Sequence, residues 1–275
     1  FKDFDMERIE FIYDKIAVLS SLGKITKDAA VILLQTETDS KLYESQVGRN
    51  MNFRFSDHSS VFHHPSTFEA IRRLFKKDGL ERVDDILRKK PIFQIMTHDI
   101  LGSIDIFFDA FDDNVKILEI VKHPIDQVYS QYKRGWGSRQ TNDPRSTEIT
   151  VKSANGAIPW PAIFVNEDYN AMEPLDRIIS INEVLLRRNL KKYKELEINR
   201  KNQIMWILFD DFVTHTEKNI KYIEEFVGKK RTVKTKLQLK KERCPRILIQ
   251  AEREKREQFI RSNAHPDSLK KLENI

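Results

Sequence analysis

Three short apolar runs, at residues 92–96, 115–121 and 203–209, constrain this chain more than any other feature of its sequence. Each is followed by a stretch whose apolar residues recur with helical spacing. Runs of five to seven residues rich in isoleucine, valine and aromatics read as strands. Strands separated by helices run parallel, and a parallel sheet needs helices on both faces. The expected class is therefore α/β, with a central parallel sheet across residues 91–228.

The first 90 residues read as helical. Met6, Ile9, Phe11, Ile12, Ile16 and Leu19 form a stripe ended by Gly23, and Thr26 is placed to cap a second helix. Ser66 with Glu69 three residues on has the form of a capping box, and Gly79 punctuates before another helix. Pro124 and Pro174 stand where a helix tolerates proline, in its first turn, and Gly228 stands where a helix stops. Residues 135–171 have no clear period and read as a long loop or lid with a binding role. All 275 residues are expected to form one domain.

Charge divides the chain unevenly. The net charge is +6, but residues 229–275 alone hold 15 Lys/Arg against 6 Asp/Glu, so the rest is slightly acidic. A basic C-terminal segment of this kind suits acidic polymers, heparin-like or nucleic acid, while its mixed Lys/Glu part reads as a solvated helical face. The single Cys244 excludes an internal disulfide framework and any cysteine-based zinc site, and no metal is expected. No apolar run is long enough to span a bilayer. With 8 glycines, the sequence contains neither a Walker-type nor a dinucleotide-binding glycine motif.

The chemistry-bearing residues lie at the ends of the expected strands. Thr97 and His98 follow the first, Lys122 ends the second, and Ser130 lies two turns into the next helix. Ligands of parallel sheets gather at the carboxyl ends of the strands, where a cation, a hydroxyl and a helix amino-terminus suit a phosphate. A histidine beside them suits a general base acting on a hydroxyl.

The order Thr97-His98, then Lys122, Pro124, Asp126 and Ser130, resembles the PAPS-dependent sulfotransferases, which move a sulfuryl group from 3′-phosphoadenosine-5′-phosphosulfate. The resemblance covers roughly residues 90–228 and implies a three-layer, P-loop-NTPase-like fold. It implies His98 as catalytic base and Lys122 and Ser130 on the cofactor's 3′-phosphate. Two departures stand out. Lysine replaces the family's arginine at 122, a point charge in place of a planar fork. The family's 5′-phosphosulfate loop has no counterpart, and the expectation places it upstream of Phe1.

Lys133 and Arg134 follow Ser130 closely and are further candidates for the cofactor's phosphates. Trp136, Trp160, Arg54 and His58 are candidates for the acceptor, a carbohydrate or other small hydroxyl compound, with no nucleic-acid partner. The rival expectations are a non-catalytic binder of acidic polymers using residues 229–275, and a P-loop-type phosphotransferase. Cytoplasm is the expected compartment, or the Golgi lumen if an anchor precedes Phe1.

Overall fold

A computed structural model describes residues 1–5, 8–57, 59–64, 66–139, 143 and 146–275. The first half is mainly helical: α1 (Phe11–Ser21), α2 (Lys27–Gln46), α3 (Thr67–Arg73), α4 (Leu80–Lys89) and α5 (Asp105–Phe111). Two short strands, β1 (Arg8–Ile9) and β2 (Ile95–Met96), belong to this half, and β3 (Ile117–Val121) follows α5. Then come α6 (Pro124–Lys133), the strands β4 (Thr150–Ser153) and β5 (Gly156–Pro159), and the long α7 (Pro174–Glu195). The chain continues through α8 (Ile198–Lys201), β6 (Ile204–Leu208), α9 (Phe209–Thr214) and α10 (Thr216–Val227). It closes with α11 (Val233–Lys241), α12 (Gln250–Asn263) and α13 (Pro266–Leu272).

The mixed α/β class and the parallel pairing are present, in a smaller sheet than the periodicity predicts. β3 and β6 pair in parallel over five residues, Ile117 opposite Ile204 through Val121 opposite Leu208. Alternation along β6 feeds both faces of this ladder. Ile204 and Trp206 join the cluster built from α1, α2 and α5, while Met205 and Ile207 pack with Ile220 and Ile223 of α10.

Three expectations need correction. The strand at 92–96 does not join that ladder: β2 pairs in parallel with β1, and Phe4 bridges Ile92. Ile9 therefore belongs to a strand, so the helix begins only at Phe11, and Met6 lies outside the described residues. Residues 135–171 are not a plain loop, because β4 and β5 form an antiparallel hairpin there.

Several local signals act as the residues predict. The Thr26 side chain accepts from the Ala29 amide at 3.2 Å, worth about 1 kcal/mol to α2. Pro124 and Pro174 open α6 and α7, and Gly228 ends α10 at φ +69°. Ser66 makes no side-chain cap to α3; the Thr67 hydroxyl donates to the carbonyls of Val61 and His64 instead. Asp5 ties the chain's start to α3 through a buried ion pair with Arg73 at 2.5 Å. Among the described residues, no helix is long and apolar enough to cross a membrane.

Candidate functional site

α1, the turn after β2, and the segments leading into β4 and α7 enclose a cleft of about 280 Å³. Its wall includes His98, Trp136 and Trp160, three residues singled out by sequence, together with Asp14, Asp99, Glu148, Tyr169 and Arg177. Trp136 is 37 % exposed, while Trp160 is only 6 % exposed and forms part of the packed wall.

α1 sets the position of His98. The Asp14 carboxylate accepts the His98 backbone amide at 2.7 Å, and its second oxygen lies 3.6 Å from Nδ1, an ion-pair distance. The Phe11 ring stacks on the imidazole, with centroids 5.8 Å apart and planes 13° apart. Asp14 holds the His98 pKa above its ordinary value against the opposing effect of burial. With the ring proton on Nδ1, towards Asp14, the Nε2 lone pair is available to a ligand.

Other acidic groups surround this histidine. Asp99, at φ +51°, and Glu148 both line the cleft. Desolvation, and for Glu148 the nearby Asp99, raises both carboxyl pKa values. Glu119 of β3 is pushed up to about 7 by burial and by Asp99. Burial pushes Tyr169 up to about 12, so its hydroxyl keeps its proton at ordinary pH.

Arg177 serves structure more than ligand binding. Its guanidinium donates to the carbonyls of Tyr169, Gly137 and Asn170, fixing the two loops that shape the cleft. Gly137 packs so closely on the start of α7 that a Cβ there would overlap the Pro174 carbonyl.

The second group of expected residues lies along α6. Lys122 leaves the end of β3 with its ammonium 5.9 Å from the Phe209 ring centroid. Burial lowers its pKa, and Arg134 and Arg256 add like charge while Asp126 and Asp210 oppose the shift. Lys133 lies over the rings of Tyr129 and Phe259, at 5.6 and 5.7 Å, in the seam between α6 and α12. Ser130 is half-buried, and the next residue, Gln131, lines the cleft. Gln131 and Gln127 both hydrogen-bond Asn182 of α7 at 2.6 Å. α6 therefore runs from the Lys122 end to the cleft wall.

Arg54 is held by Ser56 and Asp57 in the loop before α3 and does not line the cleft. His58 lies outside the described residues.

The sequence gives no sign of two contributions. Asp14 sits among polar positions of α1, and only the tertiary fold brings it to His98. Asp126, in the first turn of α6, anchors the basic tail. It accepts from Nε and Nη2 of Arg253 at 2.9 and 2.7 Å and from Arg256 at 2.7 Å, while Asp210 takes Arg253 at 2.6 Å. Part of the tail's positive charge is thus held against the body beside Lys122.

The His98–Asp14 pair predicts a pH effect. Any turnover that needs neutral His98 falls as pH drops through its raised pKa. Asp14→Asn is expected to move that acid limb to lower pH and to slow turnover about tenfold or more by loosening the ring. A pH–rate profile checks this, and an unmoved limb would separate Asp14 from the base.

No protein-family model, curated protein or solved structure matches this chain.

Proposed function

We propose that the chain is a PAPS-dependent sulfotransferase acting on a hydroxyl of a carbohydrate or other small acceptor. The observation that carries this reading is the placement of His98 in a cleft with Trp136 and Trp160, linked by α6 to a cationic site at Lys122. The three-layer, P-loop-like arrangement belongs to the same proposal, supported by the parallel β3–β6 ladder with helices packed on both faces.

The residues near Lys122 suit a phosphate. Lys122 is partly desolvated, Arg134 and Arg256 add positive field, and the adjacent His123 has a buried Nδ1 without a partner. Lys122 and Ser130 would hold the 3′-phosphate, with α6 presenting its amino-terminus. Bound PAPS supplies an activated sulfuryl group. His98 takes the acceptor's proton as the new oxygen–sulfur bond forms and the bond to the 5′-phosphate breaks, the electron pair leaving with that phosphate. Trp136, 37 % exposed, offers an aromatic face on which a sugar ring can lie, while Trp160 packs in the wall behind it. Among the chain's own residues, none matches the family's 5′-phosphosulfate loop.

Calorimetric titration with 3′-phosphoadenosine-5′-phosphate tests the cofactor half directly. The expected result is saturable binding, weakened about tenfold or more in Lys122→Ala and sensitive to salt. Absence of binding at millimolar nucleotide would overturn the proposal. Arg253 and Arg256 are engaged by Asp126 and Asp210, so an acidic polymer would bind through the other cations of residues 229–275.

A further inference from the structure

Helix α4 has ten residues and buries none of them, although it is strongly amphipathic. Leu80, Val83 and Leu87 recur at the spacing of one helical stripe and are 81, 38 and 66 % exposed. The opposite side rests on α2: Arg82, Asp85 and Ile86 are its half-buried positions, and the Tyr43 hydroxyl accepts the Gly79 amide at 2.8 Å. The apolar stripe therefore faces away from the body.

Charge along α4 is polarised. Glu81, Asp84 and Asp85 outweigh Arg82 in the first half, while Arg88, Lys89 and Lys90 occupy or follow the second, Arg88 and Lys89 also pairing with Asp85 of their own helix. At about 100° per residue, Asp84 and Arg88 fall on the same flank of the stripe. The end of α3 lies close by, since Lys76 feels the charge of Lys89, and Phe75 there is 82 % exposed.

We propose that α4 is a dimerisation helix whose occupant is a second copy of this chain, paired antiparallel about a two-fold axis. That arrangement sets leucine and valine against their equivalents and each acidic half against a basic half. A two-fold axis also keeps like flanks together, so Asp84 lies towards the partner subunit's Arg88, and the reverse contact forms by symmetry. Parallel pairing would oppose like charges. A single short helix covers less than the roughly 800 Å² per partner of a stable interface, so the dimer is weak, with a micromolar dissociation constant.

Sedimentation velocity of the full chain from about 1 to 200 µM is the test, the range suited to a constant of that size. The expected result is a reversible monomer–dimer equilibrium. Leu87→Asp weakens it tenfold or more with the circular dichroism spectrum unchanged, because the side chain it replaces meets solvent. Asp84→Lys and Arg88→Glu each weaken it, and the double variant restores it to within about threefold. A monomer at every concentration overturns the proposal. So does a dimer indifferent to Leu87→Asp, a double variant that fails to recover, or a monomer captured by phosphatidylserine vesicles.

Discussion

If the chain carries out the proposed sulfuryl transfer, replacing His98 with alanine is expected to lower it about a hundred- to ten-thousand-fold, the range for loss of a positioned general base. Binding of 3′-phosphoadenosine-5′-phosphate should change less than about twofold, since the Lys122 site stands at the other end of α6. The separation makes the experiment informative. A variant that loses both activities has lost its fold, whereas one that loses turnover alone has lost the proton acceptor. His98 touches α1 through its backbone amide and the Phe11 ring, and alanine keeps the first contact. Added imidazole is expected to recover part of the rate. Retained turnover would remove His98 from the reaction.

Gly137→Ala is expected to produce the largest loss of stability from a single methyl group. The added carbon would land on the backbone carbonyl of Pro174, with no flexible side chain to yield. Either the turn carrying Trp136 or the first turn of α7 must move, and overpacking of this kind costs about 3 kcal/mol or more. For a chain of this size that is a fall of about 6–12 °C in melting temperature. Gly23→Ala is the control. That methyl meets open space, and only the left-handed backbone at φ +64° resists it, at about 1 kcal/mol. Similar losses in the two variants would show that the turn adapts freely. The cleft adds a second readout, since a displaced Trp136 should change tryptophan fluorescence as well as acceptor affinity.

What the sequence reveals depends on how local the determining interaction is. Thr26, Pro124, Pro174 and Gly228 act on their own helix ends, and each stands at the boundary its chemistry suggests. The strands at 115–121 and 203–209 also emerge nearly in place, because branched and aromatic residues favour a pleated chain wherever it pairs. The choice of partner for the strand at 92–96 is different. It is settled by contacts with Phe4, Arg8 and Ile9, in a segment whose short apolar pattern imitates the start of a helix. The hairpin at residues 150–159 is also hidden, since Thr150 to Ser153 alternates only weakly and Gly156 adopts φ +111° in its turn.

The cleft follows the same rule. His98, Trp136 and Trp160 stand out by residue type and meet in one cavity, whereas Asp14 becomes meaningful only when α1 lies beside the β2 turn. Arg253 and Arg256 read as solvated charge in a mixed Lys/Glu segment. Their ion pairs depend on Asp126 and Asp210, far away in the sequence.

The span of these contacts has a consequence for biosynthesis. His98 meets Asp14 across 84 residues, Arg256 meets Asp126 across 130, and Lys229 meets Asp3 across 226. Such distant closures are slow, and none can form before both partners have left the ribosome. A nascent chain can assemble α1, α2 and α5 early, yet the cationic end of α6 stays open until α12 emerges. The cationic end of α6 is thus completed only after α12 has been made, later than the contact between His98 and Asp14 can form.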